Sequence, residues 1–291
     1  MKSPDFDYIK ARSLQQALEL LATHGDDARI LAGGQTLLAT LNMRLSEPAL
    51  LIDITGLDTL RGVSLQGDRL HIGALTTHRE IEESPLVAQH APLLCAAAPH
   101  IGHRAIRNAG TWGGSIAYGD PAAEWPCCLL ALDGVVSLQG PGGARRVAAA
   151  DFFLSLYTVD LQPDEIVTGA DFPVASPSDW FGFQELARRH GDFATAGLAV
   201  AARFDGRTVR ELRLAFLGIG VTPVRAPRTE ILLAGKTLDE ATIEIAVASL
   251  KAELDPIGDL THDGATKRHL ATILARRLLA AAHDARSAVT A

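Results

Sequence analysis

Long apolar runs are missing from this chain. The longest, around Cys127 to Leu132, falls far short of the roughly 20 residues needed to cross a bilayer. The opening stretch Met1-Lys2-Ser3-Pro4-Asp5-Phe6 has no apolar core of a signal peptide, so a cytoplasmic protein is expected. Cysteine is scarce. Cys95, Cys127 and Cys128 are an odd number with an adjacent pair, which makes no disulfide framework and cannot offer four thiolates to an iron–sulfur cluster. The ten histidines are scattered, and the closest pair, His100 and His103, has no Cys or carboxylate at ligand spacing, so no metal site is expected. Basic residues are outnumbered, 27 Lys and Arg against 34 Asp and Glu for a net charge of −7, which argues against nucleic acid as a partner. Any redox chemistry here must therefore sit on an organic cofactor.

What is present is a chain of 291 residues, 47% of them apolar, long enough for two or three domains. Phe6 to Ile9 reads as a strand, Ser13 caps a helix from Leu14 to Thr23, and Ala28 to Ala32 reads as a strand ending in two glycines. A helix from Thr36 to Leu45 and a strand from Leu50 to Ile54 complete a β-α-β-α-β pattern. A strand at Leu70 to Ala74, a helix opened by Thr77, and a longer helical region from Leu86 to Ala98 follow. A helix from Ala122 to Leu132 comes next, then Val135 to Leu138 and Arg145 to Val147, paired around Gly140-Pro141-Gly142-Gly143. Glu165 to Val167 continues that sheet, and Ala175-Ser176-Pro177-Ser178 reads as a linker. Beyond it, Phe181 to Arg188, Leu198 to Phe204 and Val209 to Leu217 alternate as an antiparallel meander. Helices from Glu240 to Glu253 and Lys267 to His283 close the chain.

Two Gly-Gly motifs stand out. Ala32-Gly33-Gly34-Gln35-Thr36 follows a strand, and Ile106-Arg107-Asn108-Ala109-Gly110-Thr111-Trp112-Gly113-Gly114-Ser115 closes through Asp120-Pro121. Glycine permits positive φ and close backbone approach, and successive N–H groups in such turns cradle phosphate. Each alone suits an ordinary tight turn equally well; together they suit the two phosphates of a dinucleotide. Arg104 and Arg107 are candidates to neutralise phosphate or to form surface ion pairs. Asp120 can accept from a sugar hydroxyl, cap the following helix, or both. Arg188-Arg189-His190-Gly191-Asp192-Phe193-Ala194 reads either as solvated surface or as a planar Phe193 beside a flexible glycine. Gly235-Lys236-Thr237 and Gly218-Ile219-Gly220 are incomplete against the P-loop and Rossmann fingerprints and read as turns. Cys127 and Cys128 read as core, and no catalytic residue is assigned.

These four segments, Ala32–Thr36, Ile106–Ser115, Asp120-Pro121-Ala122-Ala123-Glu124 and Arg188–Ala194, occur in one order and together resemble the FAD-binding medium subunits of the molybdenum hydroxylases. That family includes carbon monoxide, xanthine and nicotine-type dehydrogenases. The resemblance spans nearly the whole chain. It implies an α+β protein with a two-subdomain FAD-binding fold of the vanillyl-alcohol-oxidase type, residues 1–56 and 57–175, followed by a C-terminal α+β domain, residues 176–291. It implies FAD as cofactor. The pyrophosphate would lie against Ala32, Gly33, Gly34, Gln35, Thr36 and Leu37 and against Thr111, Gly113, Gly114 and Ser115. Asp120 would meet the sugar or ribityl portion, and Ile166, Val167, Asp192 and Phe193 the ring. Ile101, Asn108 and Ala109 complete the implied set.

The partners implied are a large molybdenum–pterin subunit and a small subunit with 2Fe–2S clusters, assembled as a dimer of heterotrimers. The chain itself would carry neither metal centre and would pass electrons to an external acceptor. The sequence departs from the family in four places. Thr36 replaces the commoner Ser, Trp112 an aliphatic residue, Gln184 the Lys of xanthine-dehydrogenase-type relatives, and Phe193 the Tyr of some relatives. A stand-alone FAD oxidase of the same fold is the alternative, disfavoured by only three tyrosines and no evident substrate domain. A scaffolding protein that has lost its flavin is the other.

Overall fold

The parallel sheet that begins the chain follows from its short, apolar strands. In the computed structural model, which describes residues 2–289, strands Asp7–Lys10, Leu50–Asp53 and Ala28–Leu31 lie side by side in that order, all parallel. Parallel neighbours need crossovers, and helices Leu14–His24 and Leu37–Asn42 supply them. Ser13 caps the first by accepting from the Gln16 N–H, and Ala17, Leu18 and Leu21 form its buried face. The central strand Leu50–Asp53 is buried throughout, as expected of a strand covered on both faces. The first Gly-Gly motif follows Ala28–Leu31 directly. That is the carboxyl end of the sheet, where open α/β sheets bind ligands.

The middle part is built on a second, antiparallel sheet in the order Val63–Gln66, Arg69–Gly73, Ile166–Pro173, Val135–Gly140 and Gly143–Ala148. Its helical cover differs from the sequence expectation. The region from Leu86 to Ala98 is two short helices, Pro85–His90 and Pro92–Ala97, followed by a 3₁₀ turn Ala98–His100. Pro92 has no N–H and cannot continue the preceding helix. The helix expected from Ala122 is Glu124–Ala131, capped at Ala123. Asp120 instead closes a turn by accepting from the Ala122 N–H at 2.8 Å.

Every residue of Glu124–Ala131 is buried, the mark of a helix held between two layers. It packs on the strands Ala196–Asp205 and Thr208–Leu217 of the third sheet, and the Cys127 thiol donates to Ala215 O at 2.9 Å. That sheet, Asp179–Leu186, Ala196–Asp205, Thr208–Leu217 and Val224–Arg225, is the expected meander plus a short edge strand. Helices Glu240–Glu253 and Gly264–Val289 back it. The last helix extends beyond both of its expected ends. No helix among the described residues is long and apolar enough to cross a membrane.

Candidate cofactor site

The turn from Ala32 to Thr36 is bent by Gly34, whose φ is +70°, a conformation costly to any residue with a Cβ. Gly33 serves a different purpose. A Cβ there would fall 2.7 Å from Gly110 Cα and 2.9 Å from Thr111 N, and nearer still to Ala109 O. The two motifs, far apart in sequence, thus touch backbone to backbone. Among the described residues the N–H groups of Gly33, Gly34, Gln35 and Thr36 donate to no protein acceptor. Gln35 and Thr36 are exposed and Gly33 and Gly34 half-buried, so these donors are open to an anion as well as to solvent. Leu37 begins the helix that follows.

The second motif is not the glycine turn expected from sequence. Thr111 caps a helix, Trp112–Tyr118, by accepting from the Gly114 N–H, so Gly113 and Gly114 are helical. The N–H groups of Trp112 and Gly113 are already used, donating to Thr76 O at 2.9 Å and Ala74 O at 2.8 Å. Gly113 is required by packing, since a Cβ would lie 2.8 Å from Ala74 Cα. Ser115 is half-buried in the same first turns, Asn108 is exposed on the short helix Arg104–Ala109, and Ala109 faces Gly33. Trp112 lies wholly in the core, edge-on to Phe172 with ring centroids 6.0 Å apart. Arg107 is spent on structure, its Nε donating to Glu82 at 2.7 Å and its Nη1 to Gly102 O at 3.1 Å. Arg104 stays exposed.

Residues given no site role from sequence hold this junction, among them Thr77, which opens its helix as expected. Thr77 and Glu80 form a capping box, and the backbone of Thr77 bridges to Thr111. The His78 N–H donates to Gly110 O at 3.0 Å. The buried His78 ring accepts from Trp125 Nε1 at Nδ1, 2.9 Å away, which assigns its proton to Nε2. Burial first, then the Arg107 charge, lowers the His78 pKa to about 4, so the ring stays neutral at physiological pH. Its Nε2 presses on Gly110, where a Cβ would come within 2.6 Å.

Further along, Asp120 and Phe193 line one cavity of about 470 Å³ between the middle and C-terminal parts. Phe193 is 73% exposed at its rim. Asp192 keeps one carboxylate oxygen buried without a hydrogen bond; Arg188 Nε is 3.7 Å away, too far to donate. Burial raises the Asp120 pKa. Ile101 is half-buried, its N–H donating to Ala98 O. Ile166 and Val167 are buried in two different apolar clusters, which leaves little of either side chain to meet a ligand. Gly218 and Lys267, neither assigned a role from sequence, also line the cavity. Sequence reads Gly218 as a turn and Lys267 as a helix start, with nothing to bring them together.

A glycine turn with unpaired N–H groups at a sheet's carboxyl end, and a separate cavity lined by Asp120 and Phe193, are the features of this mixed α and β protein that suit a nucleotide cofactor. Residues 4–175 match the family described as FAD binding domain in molybdopterin dehydrogenase, and residues 181–282 match the CO dehydrogenase flavoprotein C-terminal domain. The 6-hydroxypseudooxynicotine dehydrogenase complex subunit alpha of Paenarthrobacter nicotinovorans is 39% identical, the match covering 98% of this chain and 97% of that one. The carbon monoxide dehydrogenase medium chain of Hydrogenophaga pseudoflava is 35% identical over 97% of this chain and 98% of its own. A solved chain of carbon monoxide dehydrogenase from that organism superposes with a TM-score of 0.94 at 36% identity, covering 98% of this chain and 99% of that one. Quinoline 2-oxidoreductase from Pseudomonas putida 86 gives 0.93 at 33% identity, with the same coverage.

The chain belongs to the family of FAD-binding medium subunits of molybdenum hydroxylases. It is an oxidoreductase component with FAD as its cofactor. The unpaired N–H groups of Gly33–Thr36 fit the dinucleotide's pyrophosphate.

Proposed function

We propose that this chain is the electron-transfer subunit of a heterotrimeric molybdenum hydroxylase, taking electrons from 2Fe–2S clusters on a small subunit and passing them to an external acceptor. The observation that carries the reading is the backbone contact of Gly33 with Ala109–Thr111, which brings the unpaired N–H groups of the first segment against the wall of the second. In this reading FAD supplies the redox chemistry when bound. Gly33, Gly34, Gln35 and Thr36 donate N–H groups to the pyrophosphate, with Ala32 and Leu37 bounding the turn. Thr111, Gly113, Gly114, Ser115, Asn108 and Ala109 form the facing wall, with Ser115 and Asn108 offering side-chain donors. Asp120 accepts from a hydroxyl of the sugar or ribityl portion, while Ile101, the backbone at Ile166 and Val167, and the Asp192-Phe193 pair enclose the ring and exclude water. No residue acts as acid, base or nucleophile on the organic substrate, which is oxidised on a large molybdenum–pterin subunit.

The proposal extends to a dimer of heterotrimers in the cytoplasm and to three structural units, residues 1–56, 57–175 and 176–291. A tagged chain purified from its source cells should bring down two further polypeptides, one with 2Fe–2S absorbance and one with molybdenum. Recovery of the chain alone, oxidising an organic substrate without partners, would favour a stand-alone oxidase instead.

A further inference from the structure

One wall of the cavity shared by Asp120 and Phe193 carries an ion pair between a buried lysine and a half-exposed aspartate. Lys267, near the start of the last helix, has a side chain only 8% exposed, and its Nζ lies 2.7 Å from Asp259 Oδ2. The same ammonium donates to Gly218 O at 2.7 Å. Gly218 in turn donates its N–H to Pro121 O at 2.8 Å. It is pressed so closely on the segment beside Phe193 that a Cβ would meet Ala194 O at 2.8 Å. The lysine is thus tied through one residue to both the Asp120 turn and the Phe193 segment. Asp259 is held in place as well, accepting from the Thr261 N–H, the Thr261 hydroxyl and the His262 N–H. Lys267 first, and then these donors, holds its carboxyl well below the usual range.

Holding Gly218 O needs only a neutral donor. Burying an ammonium for that purpose alone is costly, and the cost is recovered only with a partner charge in good geometry. Lys267 is the only Lys or Arg lining the cavity among the described residues, and Asp120 and Asp259 are its acidic members. A flavin ring reduced near neutral pH takes up two electrons and one proton, a net gain of one negative charge. Fixed charges near the ring therefore favour one redox state over the other.

We propose that Lys267 and Asp259 are positioning residues that set the reduction potential of the bound flavin, the lysine raising it and the aspartate restraining it. The inference rests on the FAD reading above. Its test is a dithionite titration of the FAD-loaded chain against a redox dye, comparing Lys267→Met and Asp259→Asn with the wild type. Lys267→Met should weaken binding of reduced relative to oxidised FAD by about tenfold, which for a two-electron couple is about 30 mV downward. Asp259→Asn should shift the ratio by a similar factor in the opposite direction.

Opposite signs are the readout that a merely structural pair would not give. Asp259→Asn retains the buried lysine and decides the matter alone if Lys267→Met does not fold. Shifts of the same sign, or none beyond twofold, would overturn the proposal while leaving the FAD site intact. A wild-type chain that takes up no FAD would instead overturn the cofactor reading and this inference with it.

Discussion

Gly33→Ala should weaken FAD binding by about 30- to 100-fold. The added methyl would sit 2.7 Å from Gly110 Cα and 2.9 Å from Thr111 N, and those are backbone atoms, which cannot rotate away as a side chain could. Overpacking of this kind costs about 1–3 kcal/mol, and about 2–3 kcal/mol of misplacement at the cradle corresponds to the stated loss. Gly34→Ala attacks the same turn by another route. Its φ of +70° is available to alanine at about 1–2 kcal/mol, so its effect should be smaller. Gly142→Ala is the control, since nothing lies within 4 Å of a Cβ there. Fluorescence titration of FAD into each apo chain measures the series. An unchanged affinity in Gly33→Ala would mean that the two segments do not form one site.

Glu124→Gln should make the protein more stable at alkaline pH, with little change near pH 4. Glu124 is buried in the helix between the middle and C-terminal parts. Burial first, and then the charge of Glu185, raises its pKa from 4.5 to about 8. Below 4.5 the carboxyl is protonated whether the chain is folded or not, and it contributes no pH dependence. From 4.5 to about 8 the unfolded chain releases the proton while the folded protein keeps it. The unfolded state therefore binds fewer protons, and stability falls as pH rises through that window. Each tenfold change in proton affinity is worth about 1.4 kcal/mol, so the penalty above pH 8 is on the order of a few kcal/mol. The amide removes the ionisation and should flatten the dependence.

The other titratable groups facing this region are Asp120 on its own segment, Glu185 with His100 beside it, and the neighbouring Cys127 thiol. Denaturation midpoints of the two proteins at pH 5 and pH 8 give the comparison. Parallel curves would show that Glu124 ionises normally in the folded chain.

Much of the fold can be read from local signals. Ala28–Leu31 is a short apolar strand stopped by two glycines, and the three apolar segments between Asp179 and Leu217 pair in succession as the expected antiparallel meander. The region after Leu86 reads as one long helix because its apolar residues continue through Pro92, where the missing N–H breaks the chain into two helices. The first cradle turn is legible for the same local reason as its strand. The second is not. Gly113-Gly114 looks like another turn, but the acceptors that fix it as a helix start, Ala74 O and Thr76 O, lie in a segment well upstream.

The core role of Cys127 and Cys128 follows from their apolar surroundings, and burial indeed pushes both thiols up, out of the range of reactive cysteines. Gly218 reads from sequence only as part of a turn and Lys267 only as the start of a helix, and nothing local links them to Asp259. Their chemistry exists only because three separate segments meet beside Asp120.

The most direct measurement is the absorption spectrum of the purified chain, with the acid-released cofactor identified by chromatography. Flavin bands with close to one FAD per chain, and no iron or molybdenum, are the expected result. A chain that shows no flavin, and acquires none when FAD is added either to it or to its co-purified assembly, would contradict the cradle formed by Gly33–Thr36 and Ala109–Ser115.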